Sequence, residues 1–224
     1  MNGRIDYDIR YVRCTYGTCA ALCRQEKGLK KMEENKTIKK KSAKKHGTDF
    51  EQNIKRCTEN CGILFERFKD SNKFSFNQGG ATRFTPENPC DCFLYDGEIL
   101  VYAELKATYS SLSFNQPVMV QEKGKAKPAI KSHQVKELVT RSAYNHVMCG
   151  LIIEHEDTKT GTKRAFFIEI NKFVRWTEQC GKKSINIKDM VQIGIPINAV
   201  TRRGRNVYDM KELMDRLKHR IRKA

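Results

Sequence analysis

The sequence predicts an α/β fold in which helices pack against a central β-sheet. Apolar residues recur at helical spacing after Gly47, and an Asp-Gly pair at 96–97 separates two β-rich runs, as in a hairpin. A helical stretch at 132–145 then precedes the apolar run 147–153. The 224 residues suffice for one full-sized domain, because single cores stop growing only beyond about 250 residues.

The first helix is predicted from Gly47, with Thr48 or Asp49 as its cap and with Phe50, Ile54, Cys57 and Cys61 on its buried face. The elements that follow are strands at 63–68, 91–95, 98–104, 147–153 and 166–168, and helices at 132–145, 172–179 and the C-terminus. Residues 115–130 contain two Pro, a Gly and three Lys without periodicity. This segment is predicted to form a projecting loop.

The charge indicates the class of partner. Lys and Arg number 43 against 26 Asp and Glu, a net charge of +17, which favours a polyanion and above all nucleic acid. No run approaches the roughly 18 apolar residues of a membrane helix, and the N-terminus lacks the apolar run of a signal peptide. We therefore expect a cytoplasmic protein with no membrane partner.

Residues 1–46 are predicted to be a basic, Cys-containing N-terminal extension, followed by the main domain at 47–224. Its lysines, including Lys39, Lys40 and Lys41, are expected either to gain order on a phosphate backbone or to act as a solubilising tail. Nine Cys without a secretory signal indicate reduced thiols. Cys14, Cys19 and Cys23 suggest a structural Zn²⁺ site, which His46 could complete; free thiols are the alternative.

The strongest chemical signal lies on the hairpin. Asp91 begins one strand, and Glu104 and Lys106 end its antiparallel partner, so the three lie at the same end of the hairpin. Alternation places Glu104 and Lys106 on one face and Leu105 on the other. Carboxylate oxygens suit Mg²⁺ or Mn²⁺, which polarises a phosphate and lowers the pKa of a bound water. The arrangement predicts hydrolysis of a phosphodiester.

Three further residues are candidates near this site. Glu51 lies at the boundary of the buried face of the first helix, either as a further metal ligand or as an exposed carboxylate. His133 and Gln134 open the later helix, where Gln134 is expected to hydrogen-bond a metal water or phosphate and His133 to contact the DNA backbone. A capping or surface role is the alternative for these two.

Together these motifs resemble the PD-(D/E)XK nuclease superfamily and, within it, the RecU-type Holliday junction resolvases. The residues that carry the resemblance are GTDFEQNIK (47–55), PCDCFLYDG (89–97), AELKAT (103–108), SHQVKEL (132–138) and GKKSINIKDM (181–190). It covers roughly residues 47–215. The N-terminal cysteines lie outside the pattern, and Cys90 and Cys92 flank Asp91 where non-thiol residues are expected.

The resemblance implies a restriction-endonuclease-like core with a central mixed β-sheet flanked by helices. It implies that Asp91, Glu104 and Glu51 bind the metal, that Lys106 is the catalytic lysine and that Gln134 lies beside the site. It also implies a bacterial or phage-encoded homodimer that nicks four-way DNA junctions symmetrically in recombination or repair, with 115–130 as the segment entering the junction. The predicted DNA contacts are His133, Lys123, Lys125, Lys127, Lys39, Lys40, Lys41, Arg202 and Arg203.

Two alternatives remain open at this stage. A sequence-specific restriction or repair nuclease of the same fold would cut linear duplex at defined sites. A non-enzymatic, zinc-dependent DNA-binding protein would hold Zn²⁺ and show no cleavage with Mg²⁺.

Overall fold

The computed structural model describes residues 42–68, 88–120, 127–202 and 205–222. Several predicted site residues lie outside these ranges, namely Cys14, Cys19, Cys23, Lys39, Lys40, Lys41, Lys123, Lys125 and Arg203. The loop predicted at 115–130 is described only at its two ends. The loop and the domain division after residue 46 therefore stay predictions.

Helices and strands alternate along the described chain. The helices are α1 (Ala43–Glu59), α2 (Ser132–Arg141), α3 (Ile170–Cys180), α4 (Ile187–Ile193) and α5 (Met210–Ile221). The strands are β1 (Leu64–Arg67), β2 (Cys92–Tyr95), β3 (Leu100–Thr108), β4 (Leu112–Ser113), β5 (Val147–Glu156), β6 (Lys163–Glu169), β7 (Ser184–Ile185), β8 (Ile195–Ile197), β9 (Ala199–Arg202) and β10 (Arg205–Tyr208). Among these helices, none is long and apolar enough to cross a membrane.

The central sheet is mixed. Within the described residues its strand order is β1-β2-β3-β5-β6-β8, and only the β3–β5 pair is parallel. Two-stranded sheets formed by β4 with β7 and by β9 with β10 lie outside it. The predicted α/β fold, a central mixed sheet flanked by helices, is confirmed.

Two apolar cores separate the helices into layers. On one face of the sheet, α1 and α5 pack over Val101, Ala103 and Leu105 of β3. On the other face, α2, α3 and α4 pack over Leu151 and Ile153 of β5. Because β3 and β5 are paired in parallel, Glu104 aligns with Leu151 and Lys106 with Ile153. Both polar residues therefore face the α2 layer, away from Leu105.

The first helix differs from its prediction at both ends. It begins at Ala43 rather than Gly47, because the side chain of Ser42 accepts a hydrogen bond from the Lys45 backbone N–H at 3.3 Å. The cap predicted at Thr48 or Asp49 is therefore wrong. Cys61, predicted on the buried face, is exposed beyond the helix end at Glu59, since the chain turns away there.

The hairpin that positions the site is confirmed. Cys92 pairs with Ala103 and Tyr95 with Leu100, and the Asp96 carboxylate accepts hydrogen bonds from two backbone N–H groups after the turn. Gly97 has φ +97°, a conformation that favours glycine.

The region after residue 180, for which the sequence predicts a C-terminal helix and no strand, also contains β7, β8, β9 and β10. These strands have two to four residues, which is too short for a recognisable alternation of apolar and polar side chains.

Candidate active site

Four predicted residues meet at the open end of the hairpin, and we call them the hairpin cluster: Asp91, Glu104, Lys106 and Gln134. Asp91 directly precedes β2, and its Oδ2 accepts a hydrogen bond from the backbone N–H of Leu105 at 2.8 Å. Glu104 Oε1 lies 2.6 Å from Lys106 Nζ and 2.7 Å from Gln134 Nε2. The hairpin thus supplies two carboxylates and an ammonium, and α2 supplies an amide.

The start of α2 determines where Gln134 points. The helix begins at Ser132, and its inward face carries Gln134 together with Val135 and Leu138, all buried. The apolar residues pack this face against the sheet, and the side-chain amide of Gln134 therefore lies within hydrogen-bond distance of Glu104. His133 follows Ser132 in the same turn and is half-buried. Its predicted contact with DNA stays a prediction.

The electrostatics of Glu104 are unusual for a carboxylate. Its side chain is fully buried, and burial is the largest influence on its pKa, which it raises. The Lys106 ammonium lowers this pKa, whereas the nearby charge of Asp91 raises it, and the result is a pKa of about 7. The ionised form of Glu104 is thus under-compensated by the groups around it.

Two oxygens of the hairpin cluster have no hydrogen-bond partner among the described residues. They are Glu104 Oε2 and Gln134 Oε1, and both are buried. An unpaired buried polar atom costs about 1–3 kcal/mol, so a bound ion or water would stabilise both of these oxygens. Both atoms are hard oxygen donors, and Glu104 is close enough to Asp91 for the two charges to interact. The donor set therefore fits Mg²⁺ or Mn²⁺.

The other predicted site residues that the structure describes make different contacts or lie at the surface. Glu51 of α1 forms an ion pair with Arg67, with 2.7 Å between Glu51 Oε1 and Arg67 Nε. Lys127 is exposed before α2, and Arg202 is exposed at the end of β9. Their roles as a metal ligand and as DNA contacts stay predictions.

The cysteines that flank Asp91 are buried and act as hydrogen-bond donors. Cys90 Sγ donates to the Cys92 carbonyl at 3.2 Å, and Cys92 Sγ donates to the Ala103 carbonyl at 3.6 Å. Burial, reinforced by the charges of Asp91 and Glu104, raises the pKa of both thiols well above its usual value. They therefore pack as small protonated groups.

A second buried polar cluster was not predicted from the sequence, and we call it the His46 cluster: His46, Glu154, Glu156, Lys163 and Tyr208. His46 Nε2 lies 2.9 Å from Glu154 Oε1 and 3.3 Å from Glu156 Oε2. Lys163 Nζ lies 2.9 Å and 3.1 Å from the same two oxygens, and the Tyr208 hydroxyl donates to Glu154 Oε2. The alternating Glu-His-Glu at 154–156 and Lys163 on the next strand are local signals, whereas His46 and Tyr208 are distant in sequence.

The His46 cluster is a possible metal site by its donors, since one imidazole and two carboxylates converge. However, Lys163 already occupies the space between the carboxylates. Burial alone would raise the pKa of Glu154, but hydrogen bonds from His46, Tyr208 and Lys163 outweigh it, and the pKa is lowered. The charges of this cluster are compensated from within the protein. His46, which the sequence offered as a fourth zinc ligand, instead contacts Glu154 and Glu156.

Comparisons with known proteins add little to this geometry. No protein-family model matches the chain, and no curated protein matches it. One similar solved structure is Hjc of Archaeoglobus fulgidus, described as a Holliday junction resolvase from an archaeal hyperthermophile. It is 17% identical, the match covers 67% of this chain and 95% of that one, and the TM-score is 0.39. Both the identity and the TM-score mark a distant likeness.

Proposed function

We propose that the protein is a metal-dependent, structure-selective DNA endonuclease that resolves four-way junctions by paired, symmetric nicks. The observation that supports this most is the hairpin cluster. Two carboxylates, a lysine and an amide converge there, and two of their buried oxygens lack a partner among the described residues. That combination suits a divalent ion held against a phosphodiester.

Each residue of the cluster has a distinct role in the proposed reaction. Asp91 and Glu104 would hold Mg²⁺ or Mn²⁺, with Glu51 as a further ligand. When bound, the ion polarises the scissile phosphate and lowers the pKa of a bound water. Lys106 donates to Glu104 and is partly exposed, so its ammonium can offset charge that develops on the phosphate. Gln134 fixes the rotamer of Glu104 through its amide.

The choice of substrate rests on charge and on the motif resemblance. A net charge of +17 favours DNA, and the exposed Lys127 and Arg202, with the half-buried His133, are proposed contacts. The preference for four-way junctions follows from the resemblance of the hairpin and helix motifs to RecU-type resolvases. A homodimer would place two such sites on opposed strands of one junction.

The test is cleavage of a fluorescently labelled four-way junction with Mg²⁺, with Mn²⁺ and with EDTA, beside a linear duplex made of the same arm sequences. We expect symmetric nicks in the junction with either metal, none with EDTA, and little cutting of the duplex. Cutting of the duplex at defined sites would instead favour a sequence-specific nuclease. Bound zinc without any cleavage would favour a DNA-binding protein.

A further inference from the structure

A two-stranded β-ribbon lies outside the central sheet. Strands β9 and β10 pair only with each other among the described residues, and every residue of β9 is exposed. The root of the ribbon is fixed, because Tyr208 is buried and Asn53 of α1 donates a hydrogen bond to the Asn206 carbonyl at 2.8 Å. The outer end therefore projects from a rigid base.

The outer end of this ribbon concentrates positive charge. Arg202 and Arg205 are cross-strand partners and both are exposed. Like charges directly opposite each other destabilise an antiparallel pair. Within the described residues neither guanidinium has an acidic partner, although cations such as Lys218 and Arg222 do pair with carboxylates. This arrangement is unfavourable in the free protein and becomes favourable beside an external anion.

The ribbon also borders a polar cleft of about 700 Å³. Its walls are the ribbon, α1 and the turn between β5 and β6. Its lining includes the cations Arg205, Arg56 and Lys163, the polar Asn53, Thr160 and Thr162, and the acidic Asp49 and Glu154. Guanidinium, amide and hydroxyl groups of this kind make most protein contacts to DNA phosphates and sugars. The cleft lies on the α1 side of the sheet, whereas Glu104 faces the α2 side.

We propose that the arginine ribbon, meaning β9 and β10 with Arg202 and Arg205, together with the adjoining cleft, binds the sugar-phosphate backbone of a duplex DNA arm away from the hairpin cluster. The contact is electrostatic and independent of sequence, so an ordinary linear duplex engages it. This inference rests on the proposed function only in taking DNA as the partner.

The test uses the full chain in EDTA, so that binding is measured without cleavage. Fluorescence anisotropy with a labelled linear duplex gives the dissociation constant across a series of salt concentrations. For the R202Q/R205Q variant we expect weaker binding and a log–log salt slope that is shallower by about 1.8, since each neutralised phosphate contributes about 0.9. The charge-retaining variant R202K/R205K should keep the wild-type slope.

The matched control is R175Q/K188Q, which removes two exposed charges from α3 and α4 instead. If this control loses as much slope, or if R202Q/R205Q loses none, the inference is wrong and only the overall field matters. A second measurement uses the wild type alone. Phenylglyoxal labelling of Arg202 and Arg205 should be suppressed by duplex while labelling of Arg175 persists, and equal labelling would overturn the proposal. Failure of the proposed function would appear separately, as wild-type protein that binds duplex but never cuts a junction.

Discussion

The hairpin cluster and the His46 cluster each bury a glutamate beside a lysine, but the pKa of the glutamate shifts in opposite directions. Glu104 and Glu154 are both almost completely buried, and each has a lysine within 3 Å. Both oxygens of Glu154 accept hydrogen bonds, and its pKa is lowered. One oxygen of Glu104 has no partner in the described chain, and its pKa is raised. The two carboxylates are almost equally buried, and they differ in how far the neighbouring groups compensate the charge.

Neutralising either carboxylate of the hairpin cluster should have the largest effect on activity. Asp91→Asn or Glu104→Gln should lower junction nicking by at least about 100-fold, because each removes a charge that would hold the proposed metal ion. Junction binding measured in EDTA should remain, since the basic surface is intact. Loss of binding together with activity would mean that these residues are structural.

Replacement of the lysine tests whether its role extends beyond charge balance. Lys106→Ala should lower turnover by about 100-fold at saturating Mg²⁺, because the charge that develops on the phosphate loses its nearest protein cation. Single-turnover nicking measures this rate. Lys163→Ala in the His46 cluster is the matched control, and its effect per folded molecule should be small. Normal cutting by the Lys106→Ala variant would remove this lysine from the mechanism.

A substitution in the His46 cluster should change the stability of the protein rather than its catalytic activity. Glu154→Gln should lower the free energy of unfolding by about 3 kcal/mol, because it breaks a buried ion pair and leaves Lys163 and His46 under-compensated. Urea unfolding measures the loss. Since the folded pKa of Glu154 is lowered, the loss should be full above the usual carboxyl pKa and should shrink as the pH falls below it. Unchanged stability near pH 7 would contradict a structural role.

Glu104 should show the opposite dependence on pH. Because its folded pKa is raised to about 7, the folded state loses stability as pH rises through that value. Without metal, Glu104→Gln should therefore unfold at higher urea than wild type at pH 8, by about 2–3 kcal/mol, and show little difference below pH 4.5. Mg²⁺ should stabilise only the wild type. A variant that is less stable at every pH would refute this view of Glu104.

The sequence was sufficient for the hairpin cluster because its signals are local. Strand alternation and the Asp-Gly turn relate Asp91, Glu104 and Lys106 within sixteen residues of chain. Gln134 was placed beside them by resemblance and by its position at a helix start. The α/β class followed from the same local periodicities.

The features that the sequence did not predict depend mainly on contacts between segments that are distant in sequence. Local patterns of residues do not report such contacts. His46 and Glu154 meet across 108 positions, and Asn53 reaches the ribbon across 153. Strands β7 and β8 are defined by such distant partners, β4 and β6, whereas β9 and β10 pair with each other and are too short for a recognisable pattern. The early start of α1 follows from a single serine, whose capping role competes with equally suitable Thr48 and Asp49 nearby.

The protonated thiols beside Asp91 have a consequence for selectivity among ions and reagents. Cys90 and Cys92 commit their S–H groups to backbone carbonyls, so no thiolate is offered to an incoming cation. At the hairpin cluster a thiophilic ion such as Cd²⁺ would therefore meet carboxylate and amide oxygens rather than a thiolate. For the same reason alkylating agents and peroxide, which attack thiolates, should spare Cys90 and Cys92.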